Sequence, residues 1–271
     1  MEWLGRALER VRERRPLVHN ITNFVVMNTT ANALLALGAS PIMAHSPEEV
    51  EELVASADAV VVNIGTLDSN FVYSMVKAVS TARELGKPVA LDPVGAGATR
   101  LRTKTALHIL SIGGVSVVRG NFGEISALAG ELGRTKGVET AVYDEARARE
   151  LAVEVARRFR TVVAVTGRVD YVSDGKEVYV VEPGSSAVER VIGRVTGLGC
   201  IVTALVGAYL AVEEPLRAAV AGIATFKVAA EKAAEEAPYP GSFHVKLYDW
   251  LYRLDGDTLS RYARVVSYGA Q

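Results

Sequence analysis

Sulfur is nearly missing from this chain. Cys200 is the single cysteine in 271 residues, so no internal disulfide can form, which suits a reducing cytoplasm. A chain of this length buries roughly three quarters of its unfolded surface without such a staple. Long apolar runs are missing too. Residues 199–212 form the longest one worth testing; it stops at Glu213 and Glu214, short of the roughly 20 residues a bilayer needs. The first residues, Met1-Glu2-Trp3-Leu4-Gly5-Arg6, alternate charge and apolar groups and do not read as a signal peptide. The formal net charge is -1 and lysines and arginines form no run, which argues against a nucleic-acid partner. A cytoplasmic protein that binds neither membrane nor nucleic acid is expected.

Two nucleotide signatures are absent. No G-x-x-x-x-G-K-[ST] loop occurs, and no H-R-D. Gly197-x-Gly199 is only a truncated dinucleotide fingerprint, and it comes late, ahead of a helical region. The four histidines carry no supporting motif for a Cys/His protease. Amides are also scarce. Gln271 is the only glutamine, and all seven asparagines precede residue 122. That composition suits heat adaptation. Yet Asn20, Asn23, Asn28 and Asn32 crowd into thirteen residues, where local capping or a site explains them.

What is present alternates. Short apolar segments at 17–19, 41–43, 59–63, 89–92, 115–119 and 162–166 lack strict period-two patterning, as expected of parallel strands covered on both faces. Helical patterns separate them. Ser46-Pro47-Glu48-Glu49 reads as a capping box with proline at the first helical position. Residues 144–158 read as an amphipathic helix, and 171–178 as a hairpin around Asp174-Gly175. Beyond 198 the pattern is helical almost to the end. The expectation is one α/β domain with a mainly parallel central sheet flanked by helices on both faces.

In such sheets ligands bind beyond the C-terminal strand ends. Polar and glycine residues recur there: Asn20 to Asn23, Asn63 to Thr66, Asp92 to Gly95, Arg119 to Glu124, and Thr166-Gly167. The most pointed segment is Thr196-Gly197-Leu198-Gly199-Cys200, running into the apolar helix 201–212. Glycines let the backbone bend and approach a ligand, and a helix start attracts anions. Arg119, closing an apolar strand before Gly120-Asn121, suits phosphate oxygens. Asp92 and Glu124 have two readings each: magnesium carboxylates, or a turn cap and a helix-start stabiliser. Cys200 also has two. A helix start lowers a thiol pKa from its free value near ~8.5, which would make it a proton acceptor or orienting group; otherwise it is a small buried residue.

Seven blocks together resemble the hydroxyethylthiazole kinase family. They are His19-Asn20-Ile21-Thr22-Asn23, Ala39 to His45, Asn63-Ile64-Gly65-Thr66-Leu67, Leu91 to Thr99, Arg119-Gly120-Asn121, Ala164-Val165-Thr166-Gly167, and Thr196 to Cys200. The resemblance spans nearly the whole chain in order. It implies a single ribokinase-like kinase domain over residues 1–271, and phosphorylation of 4-methyl-5-(2-hydroxyethyl)thiazole with ATP and Mg2+ in thiamine salvage. It also implies a homotrimer with the thiazole pocket between subunits. By motif, Met43, Asn23, Gly65 and Gly197 would bind the thiazole. Arg119, Thr166 and Gly199 would bind ATP, Asp92 and Glu124 would organise magnesium, and Cys200 would be catalytic. The chain departs at Leu198, where the family usually has threonine between the glycines. The rival readings are a hydroxymethylpyrimidine or pyridoxal kinase, an ATP- or ADP-dependent cofactor-repair dehydratase on the same fold, and a nucleotide sensor without turnover.

Overall fold

The computed structural model describes residues 1–131 and 144–269. Its strands form one sheet in the order β2-β1-β3-β4-β5-β6-β7-β8-β9. The strands β1 (Leu17–Ile21), β2 (Ser40–Met43), β3 (Ala59–Asn63), β4 (Val89–Asp92), β5 (Val115–Asn121) and β6 (Val162–Thr166) pair in parallel. The antiparallel remainder comprises β7 (Asp170–Ser173), β8 (Glu177–Val181) and β9 (Val265–Gly269). All five residues of β3 and of β6 are buried, which is why these strands show no alternation.

Helices cover both faces. On one side α3 (Val50–Ser56), α4 (Ser69–Glu84), α5 (Arg100–Ile112), α6 (Phe122–Ala129) and α7 (Glu145–Phe159) bury their apolar stripes with Ile21, Val62, Leu91 and Val163. The other side holds α1 (Glu2–Arg14), α2 (Met27–Leu37), α9 (Leu198–Leu210), α10 (Pro215–Glu236), α11 (Pro240–Arg253) and α12 (Gly256–Tyr262), with α8 (Glu189–Ile192) as a short turn before α9. The helix α9 is apolar nearly all round because it lies between the sheet and α10. No helix among the described residues is long and apolar enough to cross a membrane.

Three expectations need correction. Both β1 and β5 run two residues further than their apolar patterns suggest, so Asn20, Ile21, Gly120 and Asn121 lie in strands rather than after them. Polar side chains at a strand's end are tolerated where the sheet opens onto a cavity. Ser46 to Glu49 is not a capping box: α3 starts at Val50, and Ser46 Oγ accepts from Glu48 N in a turn upstream. The reciprocal box lies at α6, between Asn121 and Glu124. Beyond Leu198 the chain is helical through Tyr262, as expected, and only the strand after it was not anticipated. The chain's end returns as β9 against β8, satisfying an edge that the hairpin alone would leave open.

The chain crosses from β1 to β2 on one side of the sheet and to β3 on the other. The strand order therefore reverses beside β1, and a crevice opens past the C-terminal ends of β1 and β3. The start of α9 reaches over the same edge, because α9 packs across β3 and β4.

Candidate active site

The turn that starts α9 has an N-cap, Gly197, at φ 82°, a left-handed conformation that a side chain would strain. A Cβ on Gly199 would lie 2.6 Å from Arg119 Nη1, so only glycine lets this guanidinium approach the turn. Helix geometry leaves the N–H groups of Leu198, Gly199 and Cys200 without intrahelical partners. Leu198 is itself buried, 5% exposed, in the core cluster.

Behind the turn lies a buried polar chain. Asp92, 1% exposed, accepts at Oδ2 from Thr203 Oγ1 at 2.8 Å and from Asn63 Nδ2 at 3.1 Å. Its Oδ1 is buried with no hydrogen-bond partner. Burial pushes the Asp92 carboxyl up to about 7; Arg119, 4.0 Å from Oδ2, opposes that, and the Glu124 charge adds to it. Asn63 Oδ1 accepts from Asn23 Nδ2 at 2.8 Å and from Gly65 N at 3.0 Å. Asn23 Nδ2 also reaches Cys200 Sγ at 3.7 Å. This chain links the ends of β1, β3 and β4 to the start of α9.

Cys200 does not have the lowered pKa expected of a helix start. Burial, followed by the Asp92 charge, pushes its thiol up to about 12. A thiol raised in this way is neutral at physiological pH, which weakens the proton-acceptor reading of Cys200 and favours the orienting one. Glu124 serves the helix start: Oε2 accepts from Asn121 N and Oε1 from Gly95 N, both at 2.8 Å. It thus braces the β4 loop against α6. Among the described residues no cluster of three His, Cys, Asp or Glu side chains can cage a metal ion. The unpartnered Asp92 oxygen, with Glu124 nearby, fits magnesium, which keeps most of its waters and needs only one or two carboxylates.

Two cavities meet at this turn. The smaller, about 330 Å³, is lined by Asn23, Gly65, Asp92, Glu124 and Cys200 among others. The larger, about 670 Å³, takes Thr166 and then an apolar wall including Ile192, Val195 and Phe226. Arg119, Asn121, Gly197 and Gly199 line both. Nine of the ten expected site residues are therefore brought together. Met43 is not: it ends the edge strand β2, half-buried against the core, and lines neither cavity. The hydroxyl of Thr166 is already committed, accepting from Arg119 Nη2 at 2.5 Å and donating to Gly120 O at 3.2 Å. Sequence reasoning overlooked Asn63 and Thr203 as functional side chains. The first had a signal, being one of few amides at a strand end. The second had a weaker one, its three-residue spacing from Cys200 on a helix.

Residues 8–257 match the hydroxyethylthiazole kinase family. The hydroxyethylthiazole kinase of Pyrococcus furiosus is 64% identical over 262 residues, 97% of this chain and 97% of that protein. The solved structure of hydroxyethylthiazole kinase from Pyrococcus horikoshii OT3 superposes with a TM-score of 0.90 at 60% identity, covering 99% of this chain and 100% of that one. A ribokinase-like superfamily protein from Enterococcus faecalis V583 has a TM-score of 0.58 at 14% identity, over 91% of this chain and 87% of that one, and shares the fold alone. On the family match over residues 8–257 and these identities along nearly the whole chain, it belongs to the hydroxyethylthiazole kinase family, built on the ribokinase-like fold.

Proposed function

We propose that this chain, as a single kinase domain over residues 1–271, moves the γ-phosphoryl group of ATP onto the primary alcohol of 4-methyl-5-(2-hydroxyethyl)thiazole, in thiamine salvage. The observation that carries this reading is the pair of unlike cavities sharing one glycine turn. A heterocyclic alcohol suits the smaller, beside Asn23, Gly65, Gly197 and Cys200. A nucleotide suits the larger, with its phosphates toward Arg119 and Gly199. The alcohol oxygen forms a bond to the γ-phosphorus as the bond to the bridging oxygen breaks, ADP leaves, and the alcohol proton passes late to a phosphoryl oxygen and from there to solvent.

The transition state is loose, so alignment and charge stabilisation dominate over base strength. Amides at 198–200 and the Arg119 guanidinium supply fixed positive ends where charge develops. Thr166 acts through Arg119 by holding its Nη2. Cys200, a neutral thiol beside Asn23, orients the alcohol. Because the proton leaves late, no thiolate is required. Asp92 and Glu124 would hold magnesium, whose charge would offset that of the polyphosphate when bound.

A homotrimer is part of the reading. Val25 lines the smaller cavity and is 60% exposed, as is Phe24 next to it in the chain, and a neighbouring subunit would cover them and bring further surface to the thiazole. Met43, outside the cavity of one chain, would join the pocket in that assembly. The lone unpaired cysteine supports a cytoplasmic setting. A coupled ADP-release assay with thiazole, hydroxymethylpyrimidine and pyridoxal alcohols tests the activity. Turnover is expected with the thiazole; turnover confined to the pyrimidine or pyridoxal would replace the substrate and leave the fold standing.

A further inference from the structure

Lys227, on α10, lines the larger cavity beside Thr166, Gly167, Arg168 and Asp170. A lysine there invites assignment to a phosphate. The hydrogen bonding says otherwise. An ammonium carries three protons, and Lys227 Nζ has three acceptors: Asp170 Oδ2 at 3.0 Å, Arg168 O at 2.9 Å and Val181 O at 3.0 Å. Asp170 is 3% exposed, and its other oxygen accepts from Gly167 N at 2.8 Å. One ion pair, of a buried aspartate and a partly buried lysine, thus ties α10 to the turn after β6, the start of β7 and the end of β8. The turn begins at Thr166, whose hydroxyl receives Arg119 Nη2. Neither Lys227 nor Asp170 lines the smaller cavity.

We propose that Lys227 and Asp170 are a positioning pair that sets the turn at 166–168, and through Thr166 the Arg119 guanidinium, for the nucleotide's phosphates. The proposal rests on the larger cavity being the nucleotide site. The polar atoms of the pair are taken up by bonds within the protein, so it acts on the nucleotide through the turn rather than by direct contact. Its contribution is to fix, before the nucleotide arrives, an arginine that would otherwise have to be ordered on binding. Gly167 N, already bonded to Asp170, is not a phosphate donor.

The test compares Lys227→Met, Asp170→Asn and the double variant with the natural chain. Affinity for a non-hydrolysable ATP analogue is measured by calorimetry, the KM for each substrate by steady-state kinetics, and the thermal midpoint alongside. Removing one partner leaves the other charge buried and unpaired, so the single variants lose stability; the double variant carries no such charge. Analogue affinity and ATP KM are expected to worsen about tenfold or more in every variant, with the thiazole KM within about twofold of the natural chain. The double variant is expected to recover its thermal midpoint without recovering affinity. Recovery of both in the double variant would reduce the pair to a structural brace and overturn the proposal, as would equal rises in both KM values. Absence of thiazole turnover in the natural chain would sink the assigned activity, while the calorimetric comparison would still decide the role of Lys227.

Discussion

Thr203 donates its hydroxyl to Asp92 Oδ2 at 2.8 Å, one turn along α9 from Cys200. Both groups are buried, so the bond fixes the helix that forms the anion hole to the strand that carries the carboxylate. Thr203→Val removes the donor at nearly constant volume and leaves Asp92 with Asn63 alone. A loss of one hydrogen bond to a charged group is worth about 1.5–3 kcal/mol, so kcat is expected to fall on the order of tenfold to a hundredfold. Thr203→Ser is expected to restore most of it. Steady-state kinetics on both variants check the pair of outcomes.

The state of Cys200 is measurable directly. With its thiol pushed up to about 12, the thiolate fraction rises with every unit of pH through the neutral range. Alkylation by iodoacetamide is expected to accelerate continuously from pH 6 to pH 10 without a plateau. A plateau near pH 7 or 8 would mean that the helix start wins over burial. Cys200→Ala is expected to lower kcat while leaving the thiazole KM little changed.

Asp92 has a consequence for stability. Its folded-state carboxyl is raised to about 7 from the ordinary 3.8. Between those values the folded chain binds more protons than the unfolded one, so stability present at pH 4 is lost as pH rises through 7. Asp92→Asn has no charge to bury. In divalent-free buffer the variant is expected to gain on the natural chain from pH 4 to pH 8, by at most on the order of 4 kcal/mol. Chemical denaturation across that range reads it; a pH-independent difference would contradict the burial argument.

Arg102 guards the other cavity. Its Nη2 donates to Gly65 O at 2.6 Å and its Nη1 to Val94 O at 3.1 Å, joining two loops that line the smaller cavity. Arg102→Ala is expected to raise the thiazole KM about tenfold with little change in the ATP KM. Kinetics in both substrates, set against the Lys227 variants, would show opposite patterns.

Much of this architecture was legible because apolar segments without alternation mean strands covered on both faces, and six of them carried that mark. The strand β9 was not, since Val265-Val266-Ser267-Tyr268-Gly269 is exposed along most of its length and gains its conformation from the edge of β8. In the site, Arg119, Asp92 and the 197–199 turn stood out by residue type at strand and helix ends. The thiol's state did not, because helix position argues for a lowered pKa and only burial in three dimensions reverses it. Lys227 and Arg102 were hidden for a related reason: each acts on backbone carbonyls, which every residue possesses.

The central claim is that phosphoryl transfer occurs across the glycine turn, between a nucleotide in one cavity and an alcohol in the other. A crystal structure with a non-hydrolysable ATP analogue and the thiazole alcohol tests it most directly. The account predicts the γ-phosphate against the amides at 198–200 with Arg119 beside it, and the alcohol oxygen in the smaller cavity next to Cys200. Either ligand bound away from that turn would contradict it.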